Sequence, residues 1–335
     1  MEKGISMITL HKNRLRFDFP DVHPDAVCTL ELIRTLRIPD DGHEYPLPPG
    51  FERFPLQHLD DHAARLPEHW RRRGGVLMPM HQAEAMWINF DAPGGYPFAL
   101  KIATGKVCAV SGDAWVNHLN LDPQDYLVLP EQPWLDGYCV EQGLIRQFVA
   151  MPLGKGYTAE EQLTGLAEHG GLQVIAYPMK RDRYEAMASK HRVDCLAMPL
   201  AAYGDAEMGL APGGRMRQEI YEDPYGLDAW DQRHSSRCFV SIANSGQWMA
   251  LTGELPPTRP PTAKEYTEAG MPWFEYYGGD AEAIAGAEKL SGLKGVGELA
   301  GGSPELPWGA DESFDPPDPI KIGRPGSRPV REFEF

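Results

Sequence analysis

Apolar residues fall in short bursts along this chain rather than in long helical stripes, and glycine or proline cuts most of the bursts. In ISMITLHKNRLRFDF two such runs flank Lys12-Asn13, the pattern of a hairpin. Ala26–Ile38 alternates weakly and carries several β-branched residues, so it predicts another strand. A linker rich in Pro and Gly follows over Pro39–Pro55. LQHLDDHAARL then sets Leu56, Leu59, Ala63 and Leu66 at helical spacing, with Pro67 closing the segment. Val76–Val110 reads as strands broken at Pro93-Gly94-Gly95 and at Thr104-Gly105.

Further strands are predicted over Tyr126–Leu129, Tyr138–Val140, Leu144–Leu153, Leu172–Tyr177, Val193–Leu200, Met208–Tyr221 and Arg237–Thr252, the last with room for a helical turn. Helices are predicted over Ala159–Glu168 and Asp182–Lys190. Two more follow, one capped by Thr262 with Glu265 three residues on, and one over Asp280–Leu290.

The segment FVAMPLGKGYTAEEQLTGLAEHGG invites a phosphate-loop reading and does not support one. Gly154-Lys155-Gly156 lacks the spacing of a Walker loop, and no third glycine completes a dinucleotide fingerprint. Thr158 and Glu161 instead form a capping box, while Glu160 and Glu161 repel an anion from that helix end. Gly170-Gly171 is the expected stop. The segment reads as strand, turn, capped helix and return strand, with a right-handed crossover if the strands are parallel neighbours.

These elements add up to an α+β fold: strand-rich, with mostly antiparallel sheets, a few short helices and an extended Pro-rich C-terminal tail. Residues 1–300 form the globular region, with a two-lobe division near residue 120 as an alternative, and residues 301–335 the tail. Composition agrees. Hydrophobic residues at 42% suffice for a core, and 35 glycines with 31 prolines in 335 residues disfavour long helices.

A net charge of −16 argues against nucleic acid or an anionic membrane as partner. Arg71-Arg72-Arg73, the best basic cluster, reads as a solvated loop. Five cysteines, odd in number and without a CxxC pair, exclude a disulfide framework and a zinc knuckle. The chain opens without an apolar leader, and Cys238–Gly253 is too short and polar to span a bilayer. The expectation is a soluble, cytoplasmic protein with no cofactor.

Chemistry-bearing patterns are few. His58 and His62 at helical i, i+4 spacing with Asp61 resemble a cation site, but outward polar residues of a short helix are the better explanation, and no metal is expected. Among the cysteines only Cys238, near His234 and Arg237, has a neighbourhood suited to a nucleophile. No Gly-x-Ser-x-Gly occurs, and Asn244-Ser245-Gly246 reads as a turn. In a strand, Arg215, Arg217, Glu219 and Tyr221 share one face, which suits an anionic ligand, a solvent face or an ion-pair ladder between subunits. Pro-flanked aromatics recur at Trp134, Trp273-Phe274 and Trp308, with core as their default place.

Two functions follow. The first is a structural or interaction protein that self-associates into a homo-oligomer, its tail anchored through Trp308, Phe314, Phe333 and Phe335. The alternative is an enzyme or small-ligand-binding protein with its cleft near Arg215–Tyr221 and the Gly154–Gly156 turn, drawing on loop residues such as His81, Glu84, His169, Glu219 and His234.

Overall fold

The structure, a computed structural model, describes residues 7–187, 207–276, 281–301, 306 and 311–322. Among the described residues strand, at 37%, exceeds helix, at 17%. Lys12 and Asn13 both take positive φ (49° and 61°), which a two-residue turn matched to strand twist requires, and they join Met7–His11 to Arg14–Asp18.

From this hairpin the sheet grows by antiparallel neighbours. Arg14–Asp18 pairs with Val27–Thr35, which pairs with Ala85–Asp91. That strand borders Leu144–Pro152, which runs beside Glu207–Arg217. Glu207–Arg217 meets Ser236–Ala243 at one end, and Leu172–Pro178 then bridges Ser236–Ala243 to Phe98–Thr104. Two short segments add in parallel: Val76–Pro79 beside Ser236–Ala243, and Glu44–Tyr45 beside Glu207–Arg217. Leu15 and Phe17 from the first strands share one apolar cluster with Leu172 and Val174 from the far side, so the sheet curls around a common core. Strands buried on both faces explain the near-continuous apolar runs of the sequence, such as Phe98–Thr104, where every residue is buried.

Several elements differ from expectation. The capping box at Thr158 and Glu161 forms, but the helix runs only over Ala159–Thr164 and ends at Gly165, whose φ of 72° lets the chain turn five residues before Gly170. Its flanking strands do not pair with each other, so no crossover arises. The amphipathic helix ending at Pro67 is instead a 3-10 turn, Leu59–His62, and Pro67 is the N-cap of a helix over Glu68–Arg73. The arginine triplet is that helix's last turn, where cations complement the helix dipole.

The run Arg237–Thr252 divides into a strand, Ser236–Ala243, and the longest described helix, Ser245–Thr252. Asn244 and Gln247 form its capping box. The Asp182–Lys190 helix is present as Arg181–Met187. The expected Asp280–Leu290 helix reduces to Glu288–Ser291, followed by Val296–Ala300. The strand expected over Val193–Leu200 lies outside the described residues. No described helix is long and apolar enough to cross a membrane.

Candidate functional site

A cleft of about 650 Å³ opens where six separate segments meet: Glu44–Leu47, Gln132–Trp134, Gly143, Arg217–Tyr221, Phe274–Tyr276 and the tail residues Pro316–Lys321. Its volume lies in the range of small-molecule and peptide sites. Local chemistry explains each wall.

Glu207–Arg217 stops as a strand at Arg217, yet the chain continues alongside the Gln132–Asp136 segment, which includes the short strand Trp134–Leu135. Buried glutamine amides replace the ladder there. Gln132 donates to the Trp134 and Glu219 carbonyls at 3.0 and 3.3 Å, and its oxygen accepts from the Tyr221 N–H at 3.1 Å. Gln218 accepts from the Asp136 N–H at 2.9 Å and donates to the Trp134 carbonyl at 3.2 Å. Each backbone polar group so bonded escapes the cost of burial without a partner.

Asp136 underpins this segment. Its carboxyl, 3% exposed, accepts from the Trp134 indole N–H at 2.5 Å. Burial pushes its pKa up to about 7, and the indole bond only partly opposes this. Trp134 therefore reaches the cleft wall with its polar edge fixed inside. Its ring meets Tyr276 edge-on, with centroids 4.5 Å apart.

The far wall is a two-stranded parallel sheet. Phe274–Tyr276 pairs with Ile320–Ile322, while Phe274 also exchanges both backbone bonds with Leu47 (2.8 and 3.0 Å). Phe314 anchors this strap by packing on Tyr45 and on the fully buried Trp273, at 4.9 and 5.2 Å between centroids. Pro316, Pro317 and Pro319 then pass along the aromatic lining.

Among the described residues, four carboxylates and two cations line the cleft. Arg217 is held by Glu44 at 3.2 Å and Lys321 by Glu275 at 2.8 Å, which leaves Glu219 and Asp318 as excess negative charge. The Tyr221 hydroxyl, next to Glu219 and Tyr276, has its pKa raised to about 12, chiefly by burial. Of the four residues suggested for an anion, Arg217, Glu219 and Tyr221 line this cleft. Arg215 instead turns to Glu141.

Other singled-out residues lie elsewhere. His81 and Glu84 line a second, smaller concavity. His169 bonds Glu160 at 2.9 Å, and His234 bonds Asp231 at 2.9 Å. Gly154–Gly156 is a surface turn and does not line the cleft. His58 and His62 do not share a helical face: His58 ends a short strand, and the His62 ring meets the Gln57 amide oxygen at 2.6 Å. Cys238 is buried, and desolvation pushes its thiol up to about 12, the reverse of an activated nucleophile. Trp308, Phe333 and Phe335 lie outside the described residues, as does Cys195. Trp273 keeps the core place expected of it, whereas Trp134, Phe274 and Tyr276 surface in the cleft.

Comparison with known proteins gives no match to a protein family, a curated protein or a solved structure.

Proposed function

We propose that this chain is an interaction protein that self-associates, its cleft receiving the basic segment 323–331 from the tail of a second copy. The observation that carries this reading is the match between cleft and segment. The cleft is aromatic, already accommodates the prolines of the strap, and holds Glu219 and Asp318 in excess. Residues 323–331, GRPGSRPVR, supply Arg324, Arg328 and Arg331 with Pro325 and Pro329, and contain no acid. Pre-extended proline segments dock on aromatic grooves at low entropic cost, and opposite charge adds steering and register.

The strap supports the same reading in another way. The Ile320–Ile322 strand shows that this sequence adds to the domain by main-chain pairing, a mode equally open to a partner's extended segment. The compartment assigned is the reducing cytoplasm, in keeping with four described cysteines that are all free and buried.

Light scattering after size exclusion tests the proposal. The full chain at low ionic strength is expected to exceed its monomer mass of 37.3 kDa. A chain ending at Ile322, and the double variant Glu219→Arg with Asp318→Arg, should both run as monomers. Changing Arg324, Arg328 and Arg331 to Glu in that double variant should restore association. A monomeric full chain, or a truncated chain that keeps its assembly, would overturn the reading.

A further inference from the structure

The second concavity, about 50 Å³, lies between Arg37, the turn His81–Ala85 and the segment Arg259–Thr262. It is large enough for a few waters or one small oxyanion. In a chain of net charge −16, three guanidinium groups converge on it: Arg34, Arg37 and Arg259. Carboxylates answer the inner two. Glu84 pairs with the fully buried Arg34, Glu52 also acts on Arg34, and Asp311 pairs with Arg37 at 2.5 Å. Arg259 has no paired carboxylate among the described residues.

The donors are also unspent. Arg37 is only 7% exposed and lines the pocket, yet its Nε and Nη1 have no hydrogen-bond partner among the described residues. The Nε of Arg34, behind it, is likewise unbonded. Arg259 stands exposed on the rim and forms no ion pair or hydrogen bond among the described residues. Buried guanidinium N–H groups are rarely left without an acceptor, and an oxyanion supplies several at once.

His81 completes the wall. Its N–H donates to Glu84 at 2.9 Å, and its ring Nδ1 faces Ser245 Oγ at 3.3 Å. Burial, then Arg259 and Arg34, lower its pKa to about 2, so the ring stays neutral and that positive field is available to a ligand. Ala83, at a φ of 63° unusual for a residue with a side chain, is fixed by its N–H to the Ala150 carbonyl (2.7 Å). The return bond from Ala150 to Glu84 is 2.8 Å, so the turn is held rigidly.

We propose that this pocket binds a small oxyanion, one phosphate or carboxylate group held between buried Arg37 and rim Arg259. Inorganic phosphate and acetate are the probes, each titrated calorimetrically into the full chain against sodium chloride at matched ionic strength. At least one should bind saturably at one site per chain, and whichever binds identifies the group. Arg259→Ala should weaken that binding about tenfold and Arg259→Lys less. Arg72→Ala, a surface arginine paired with Glu68, should leave it unchanged. The proposal is overturned if neither anion binds above the chloride control, if Arg259→Ala binds as wild type, or if Arg72→Ala weakens binding equally.

Discussion

Replacing Asp136 by Asn should remove a large pH dependence of stability. The carboxyl is buried, its pKa is raised to about 7 by desolvation, and its ordinary value is 3.8. An acid with a raised pKa binds its proton more tightly in the folded chain than in the unfolded one. Its unfavourable contribution is therefore absent below about pH 4, grows as pH rises towards 7, and is constant above that. A displacement of roughly three pH units corresponds to about 4 kcal/mol in full. About 1 kcal/mol of this is already present at pH 4.5, which leaves about 3 kcal/mol between pH 4.5 and pH 8.

Asn keeps an oxygen to accept from the Trp134 indole, and the cost of its amide group does not vary with pH, so that cost cancels in the comparison. Urea unfolding of both proteins at pH 4.5, 6 and 8 gives the difference directly. The wild type should lose about 3 kcal/mol more than Asp136→Asn across that range, a sizeable part of an ordinary domain's 5–15 kcal/mol. Other titrating groups act on both proteins alike. Stability curves that run parallel in pH would show that Asp136 ionises at its ordinary value, and the account of how Trp134 is held would fail with it.

Two further outcomes test the packing. A Cβ at Gly137 would lie 1.9 Å from the Arg146 carbonyl oxygen, so Gly137→Ala must displace a strand and should cost about 3 kcal/mol or more in urea unfolding; a loss below about 1 kcal/mol would contradict the pairing described. Cys238, buried and with its thiol pushed up to about 12, should resist an aromatic disulfide reagent at pH 8 in the native protein and react only with unfolding; rapid native labelling would place it at the surface.

Features that depend on a few adjacent residues were legible in the sequence. The Lys12-Asn13 hairpin and the boxes at Thr158–Glu161 and Thr262–Glu265 each satisfy their own backbone groups, so distant packing has little to change. The same logic extends to Asn244 and Gln247, whose capping box starts the helix in the second half of Arg237–Thr252. Apolar residues dominate both halves of Arg237–Thr252, and a buried helix segment and a buried strand look alike by composition. Pro67 misled for a similar reason. Proline bars continuation of a helix behind it but suits the start of one, and Glu68 with Arg71–Arg73 already carried the charge order of a helix beginning there.

The sites were legible only in fragments, because charge was counted along the chain rather than across space. Arg215 and Arg217 suit an anion, a solvent face or an ion-pair ladder by sequence alone, and only the fold sets Glu141 and Glu44, distant in sequence, opposite them. Likewise, a net charge of −16 argues against nucleic acid or an anionic membrane as partner, yet it does not reveal that Arg34, Arg37 and Arg259 gather at one pocket. Exposed charges act over a Debye length of about 8 Å at physiological salt, so a ligand in either concavity meets the local balance rather than the total. Gln132 and Gln218 carry the same lesson for the cleft. Neither has a sequence signature, yet their amides continue the strand's bonding beyond Arg217 and so decide where Trp134, Glu219 and Tyr221 stand. A side chain that substitutes for backbone hydrogen bonds is recognisable only once the backbone it serves is in place.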